Sequence, residues 1–504
     1  MTSTTVFRRA TILAVAALVA LALITAPQAP VAQARSGGGD GSGGRGVAHR
    51  AGGARVGGHG PDAKLYRPVI DGSPMQAGEP TLGVTNEGNV FYVTLAAAPD
   101  IIRSGNDGKT WKNVSPTFPN GSKAHRVSFD PYVYVDDAEG VDRIFTIDLT
   151  VACSYLSFSD DEGESWITNP LSCGRPVNDH QTLFSGPPAV SPTPIYPNVV
   201  YYCWNDVGSS SCSKSLDGGL TFTSTGSPAF PGVDPLAETP SYDPEDPTDA
   251  GSFCGGLHGH GHVGGDGTVY LPKGHCGQPW LAISTTEGAT WERVQVAKNG
   301  MAHHEASVAT DSKGNIYYAW SARDRSIYLA ISKDGGRSWS KPLMVGSPGV
   351  NETNLPSLDV GQPGQVAIAY MGSENSPGEP FPESPGTTTN PDCFVAQLPC
   401  PPPEEYKNTT WNGYITVSKN ALDKSPTFFS TTVNDKKDPL KRGTCGPGRC
   451  GLDILDFIDV TIAPDGQVWS SWVDACISVC AVPKGEQDQG SDAVVGRLEP
   501  NIFR

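Results

Sequence analysis

Apolar positions in this chain fall in short alternating runs that stop at Gly, Asn, Asp or Pro. Thr81 to Val93, Ser307 to Trp320, Ser357 to Tyr370 and Val460 to Trp472 each read as a strand, a Gly-containing turn and a second strand, with looser versions near Asp130, Leu183 and His262. A second pattern follows these hairpins, an octet that runs from Ser to an aromatic. Its copies are Ser104-Gly-Asn-Asp-Gly-Lys-Thr-Trp111, Ser159-Asp-Asp-Glu-Gly-Glu-Ser-Trp166, Ser215-Leu-Asp-Gly-Gly-Leu-Thr-Phe222, Ser284-Thr-Thr-Glu-Gly-Ala-Thr-Trp291 and Ser332-Lys-Asp-Gly-Gly-Arg-Ser-Trp339. A stretched sixth copy runs from Ser418 to Phe428, and successive starts lie 55, 56, 69, 48 and 86 residues apart. One unit is therefore repeated with insertions in its loops.

The octet itself predicts a hairpin. Asp or Asn with Gly at its centre accepts a left-handed turn, the hydroxyls bond back to the turn backbone, and the last aromatic is expected to anchor the outgoing strand in a core. Two hairpins per unit make four strands, and four-stranded units repeated around an axis predict an all-β fold, a β-propeller that protects its sheet edges by radial closure. Seven first hairpins over residues 63–504 predict seven blades; six blades plus an irregular segment is the alternative. The last unit lacks an octet, so closure is expected to borrow the early strand Leu65 to Ile70. The largest insertion, 373–406, interrupts the sixth blade.

Composition narrows the function classes. Gly 59 and Pro 44 make about a fifth of the 504 residues, which excludes a fold of long helices. Lys+Arg 36 against Asp+Glu 53 gives a net charge of −17, so nonspecific attraction to nucleic acid or to an anionic membrane is not expected. Arg8-Arg9, the apolar run Ala10 to Ala26 and Val31-Ala-Gln-Ala34 predict a signal peptide over residues 1–34. With no second apolar stretch, the mature chain is expected to be secreted, free of the membrane and monomeric. Residues 35–62 are Gly-rich and predict a linker. Twelve Cys in an exported chain predict disulfides, with Cys203–Cys212 and Cys153–Cys173 among the local pairs, and no CxxC knuckle points to zinc.

The octets match the Asp-box, or BNR, repeat, and residues 63–504 resemble secreted bacterial proteins of the sialidase-like superfamily. That resemblance implies a propeller acting on or recognising an extracellular glycan or glycoconjugate, as a glycoside hydrolase or as a noncatalytic binding module. A sialidase would also carry three arginines clamping the substrate carboxylate, the first in an Arg-Ile-Pro motif. Here the matching segment is Gly78-Glu79-Pro80, so sialic acid is not the expected substrate; Arg126, Arg323 and Arg325 remain candidates for a pocket.

The innermost strand of each blade faces the axis, and its opening residues are where a site would be built. Those positions carry Glu79, Asp179-His180, His258, His260 and His262, His303-His304-Glu305, Asn354, and Asp456 with Asp459. The catalytic candidates are Glu79, His180, His304, Glu305, Asp456 and Asp459, an acid and base set for glycosyl or phosphoester cleavage. His258, His260 and His262 are candidate ligands, because alternate residues of a strand project to one side; a divalent ion is the one cofactor this pattern suggests.

Overall fold

The structure, a computed structural model, describes residues 55–57, 60–95, 98–125, 127–128, 130–150, 153–173, 178–193, 195–206, 209–231, 257–275, 277–301, 305–377, 408–443, 445, 454–477 and 491–504. Residues 1–34, expected as a signal peptide, His304 and most of the 373–406 insertion lie outside the described residues. Apart from one 3-10 turn at Ala138–Gly140, the regular structure is β. No described helix is long and apolar enough to cross a membrane.

The strands form seven four-stranded antiparallel blades. Their innermost strands are Leu82–Val84, Tyr132–Asp136, Asp179–Gly186, His262–Val263, Ala306–Thr310, Glu352–Val360 and Asp459–Ile462, for blades 1 to 7 in order. Each packs beside the next and the seventh packs beside the first, so the ring is closed. Side chains at these strands stitch neighbours together. Thr81 Oγ1 donates to Val133 O, Ser307 Oγ accepts from Leu358 N, and Asp459 accepts from Leu82 N on one side and Ser357 Oγ on the other.

Closure uses the chain ahead of blade 1. Asp62–Tyr66 forms the outermost strand of blade 7, antiparallel to Asp492–Glu499 with Leu65 opposite Gly496. This is earlier than the expected Leu65 to Ile70: Val69–Ile70 instead turns back on Ser73–Pro74 through Asp71 and Gly72, whose φ values are 51° and 76°. Within the stretch expected as linker, Arg55–Gly57 pairs in parallel with Thr427–Thr432 at the outer edge of blade 6.

The apolar core lies between adjacent blades. Second strands such as Val199–Asn205, Ile316–Ser321 and Val468–Asp474 are buried along their whole length, because both of their faces meet a neighbouring sheet. Across blades 3's second and third strands Cys203 and Cys212 are bonded, S–S 1.99 Å; Cys153 is also disulfide-bonded and lies opposite Cys173 in the blade 2 ladder.

All five good octets sit between the third and fourth strands of blades 1 to 5. The first-position Ser Oγ accepts the fifth-position Gly N–H at 2.8–3.0 Å, and the third-position oxygen accepts the seventh-position N–H at 2.8–2.9 Å. Positions four and five are left-handed in every copy, from Asp107 and Gly108 to Gly335 and Gly336. The terminal aromatics anchor as expected: Trp111 is buried in the core, and Trp166, Trp291, Trp339 and Phe222 are half-buried and pack against it. They lie at the seams between blades, where Trp166 Nε1 donates to Val114 O and Trp291 Nε1 to Ser227 O of the preceding blade.

Candidate functional site

The residues that open the innermost strands converge at one end of the axis. In blade 3 a bulge between Asp179 and Thr182 leaves His180 with a φ of 50°, a conformation that costs on the order of 1 kcal/mol for a residue with a Cβ. Two contacts from the segment before blade 2 hold it there. His180 N donates to Asp130 Oδ2 at 2.9 Å, and Gln181 Nε2 donates to Asp130 O at 2.7 Å, while Gln181 Oε1 accepts from Tyr202 OH and Ser154 Oγ. The His180 ring is thereby aimed across the axis, where Nε2 lies 3.1 Å from Glu305 Oε1 at the opening of blade 5.

Around this pair stand the other polar openings. The ring of His258 lies edge-on to that of His180 at 6.0 Å between centroids, and Phe457 packs against both His180 and His260, at 5.4 and 5.0 Å. Tyr132 completes an aromatic wall against His260 at 5.1 Å. Asp456 N donates to Glu79 Oε1 at 3.1 Å, which ties the openings of blades 7 and 1. His180, Glu305, Asp130, Asp456 and Glu79 are all buried, each 6% exposed or less.

The electrostatics follow from burial set against neighbours. Burial pushes the His180 imidazole down, but the Glu305 carboxylate, helped by Asp456 and Asp130, outweighs it and holds the ring at about 9. Burial, with Asp179 and Asp456 adding to it, raises Asp130 to about 7 against the opposing His180. Burial drives His258 well below its ordinary value and His260 to about 3, and the His180 charge pushes both further. The site thus holds one imidazolium bonded to a carboxylate beside a carboxyl that exchanges its proton near neutrality.

The structure sorts the expected residues. His180, Glu305, Asp456, Glu79, His258 and His260 come together; His304 lies outside the described residues. Asp459 is a stitch between blades 6, 7 and 1, and burial raises its carboxyl to about 7. His262 is engaged elsewhere: its Nε2 lies 2.8 Å from Thr310 Oγ1 and accepts from Thr310 N. Only His262 of the three imidazoles lies in a regular strand, whereas His258 sits in an isolated bridge opposite Lys273, so the expected row of three does not form. Among the described residues no group of three His, Cys, Asp or Glu side chains is arranged to hold a metal ion. Arg325 is paired with Glu352 at 3.3 Å and Arg323 lies against Gly277 and Gly300; Arg126 is outside the described residues.

No protein-family model and no curated protein sequence matches the chain. Solved structures similar to it match at low identity. They include the fucose-binding lectin of Aleuria aurantia, at 12% identity over 61% of this chain and 95% of the lectin, with a TM-score of 0.39. A protein of unknown function from Dyadobacter fermentans has 13% identity over 88% and 99%, with a TM-score of 0.41. An α-L-arabinofuranosidase of Fusarium graminearum has 12% identity over 63% and 93%, with a TM-score of 0.37. The propeller assignment stands on the closed ring of seven inner strands.

Sequence reasoning passed over Asp130, Tyr132 and Phe457 as site residues. It also passed over an Asp148–His125–Ser157 chain in blade 2, where His125 Nδ1 lies 2.8 Å from Asp148 Oδ2 and Nε2 lies 2.7 Å from Ser157 Oγ. Ser157 is wholly buried mid-strand and its hydroxyl also meets Thr168 Oγ1 at 2.7 Å, so this chain rivets the loop carrying His125 onto the blade.

Proposed function

We propose that this chain is an exported, glycan-directed propeller whose axial group cleaves a glycosidic bond by acid–base chemistry. The supporting observation is the His180–Glu305 pair across the axis with Asp130, a carboxyl raised to about 7, bonded to the same strand opening. Asp130 in its protonated form gives its proton to the leaving oxygen as the glycosidic C–O bond breaks, Asp456 takes a proton from the water that bonds to the anomeric carbon, and the imidazolium steadies the negative charge of both carboxyls. Glu79, standing where the resemblance places the first arginine and accepting from Asp456 N, favours a glycan other than a sialoside. The burial of the whole group favours a second reading, a noncatalytic glycan-binding propeller in which the axial contacts serve as an internal staple.

Turnover of residues 55–504 on a panel of aryl glycosides and sialosides separates the two. The expected result is hydrolysis of a neutral glycoside that falls at least a hundredfold in Asp130→Asn, with the melting temperature kept. Saturable glycan binding without turnover replaces the first reading by the second, and sialoside hydrolysis removes the argument from Glu79.

A further inference from the structure

One strand outward from the axial group lies a buried lysine that nothing above uses. Lys273 is on the second strand of blade 4, Val269–His275, directly opposite His258, and is only 4% exposed. Its ammonium donates to Ser210 Oγ of blade 3 at 3.2 Å and lies 5.5 Å from the centre of the Phe230 ring. Ser210 Oγ in turn donates to Asn205 Oδ1 at 2.8 Å. That direction of donation, from ammonium to hydroxyl to amide oxygen, leaves the Asn205 Nδ2 group as a donor, and it has no hydrogen-bond partner although Asn205 is 3% exposed. Asn205 itself stands opposite Asp179 in the blade 3 ladder.

The Ser210 hydroxyl is thus held between the Lys273 ammonium and the Asn205 amide oxygen, and the same amide carries the unpartnered Nδ2 donor. An ammonium has three N–H groups, and only one is used here. Burial lowers Lys273 to about 8, opposed by Asp206; His258, His275 and Arg293 also face this seam, and Asp179 stands across the ladder from Asn205. Buried donors left unmade cost about 1–3 kcal/mol each, and an anionic oxygen placed between them satisfies both at once.

We infer that Lys273 and Asn205 form a subsite for an oxyanion, a carboxylate or a sulfate group, at the seam between blades 3 and 4. The half-buried His275 and Gln278, on either side of the turn that ends this strand, border it. The subsite lies beside the axial group through the Asp179–Asn205 and His258–Lys273 pairings. A glycan reaching the axis would place an acidic substituent there, but binding of the anion does not require that the axis be catalytic.

Calorimetric titration of the full described chain with sodium sulfate, with glucuronate and with glucose tests this. Saturable binding of sulfate or glucuronate and none of glucose is expected. Affinity should fall at least tenfold in Lys273→Met and in Asn205→Ala, the latter deciding the matter if the lysine variant does not fold. In the unaltered protein, the bound anion should slow reductive methylation of Lys273, mapped by peptide mass spectrometry. Binding of sulfate alone assigns the subsite to sulfate esters and of glucuronate alone to uronates. No saturable heat with either anion, or unchanged affinity in the folded variants, overturns the inference. Since the titration involves no hydrolysis, its failure and that of the glycosidase reading are separate.

Discussion

Glu287 shows what the fourth octet position does. It is left-handed, with a φ of 53°, where two other copies use Gly, and it is fully buried. Its carboxylate accepts the backbone N–H of Ala189, Val190 and Ser191 at 2.8–3.0 Å and the Lys214 ammonium at 2.6 Å, all from blade 3. Burial alone would raise this carboxyl, yet those bonds hold it at about 2. Asp107, its counterpart in blade 1, pairs with Arg497 of blade 7, and the carbonyl of Glu162 in blade 2 accepts from Arg103 of blade 1. The octet thus fastens each of these blades to the one before it. Glu287→Gln should cost about 2 to 3 kcal/mol in urea unfolding at pH 7, since hydrogen bonds to a charged group are being exchanged for weaker ones. A carboxyl depressed on folding stabilises above its unfolded value, so the difference between the two proteins should shrink as pH falls from about 4.5 towards 2. A constant difference across that range would show that the ionised carboxylate is not what matters.

At the scale of elements, the octets were readable from sequence because the bonds that shape their turn lie within eight residues. The closing strand was only half readable. Val69 and Ile70 carry β-branched apolar side chains, but Pro68 before them and the Asp71-Gly72 turn after them send the pair into its own small hairpin. The choice of Asp62–Tyr66 depends on a partner more than 400 residues away, which no local pattern reports. The histidine segment was misjudged for a related reason. The row expected there assumed a regular strand, whereas a Cβ on Gly259 would lie 1.7 Å from Ala306 O and one on Gly261 2.1 Å from Phe184, so these glycines permit close packing against blades 5 and 3. The closing strand also covers an edge. Removing residues 1–66 should leave Asp492–Glu499 with an unpaired ladder, and size-exclusion chromatography should show species larger than those the intact chain forms. Monomeric elution of the truncated protein with an unchanged melting temperature would mean that the strand contributes little to closure.

For the whole molecule, the axial group was legible as a set of polar strand openings, but its centre was not. Asp130 precedes blade 2 in a segment with no distinguishing pattern, and it matters only because the ring brings that segment against blade 3. The titration of the assembled site gives a global consequence. His180 is raised from 6.5 to about 9, so its stabilisation is complete below about pH 6.5 and is lost as pH rises towards 9. Lys273, lowered to about 8, acts in the opposite sense only above that value, and the depressed His260 and His262 only below about 6.5. Between pH 6.5 and 8 the unfolding free energy should therefore fall as pH rises, with Asp130 and Asp459, both raised to about 7 by burial, adding to the fall in the lower part of that window. His180→Asn, which tolerates the left-handed backbone, should make the slope shallower. An unchanged slope would assign it to those carboxyls alone.

The pairing of Asp62–Tyr66 with Asp492–Glu499 also sets an order of events in making the protein. Blades 1 to 5 draw all four strands from consecutive stretches of chain and can assemble as each emerges. The last blade cannot, since its outer strand precedes blade 1 in the chain and its three inner strands follow blade 6. Completion is then a single late encounter between segments far apart in sequence, the kind of non-local step that is slow and leaves exposed strand edges until it happens.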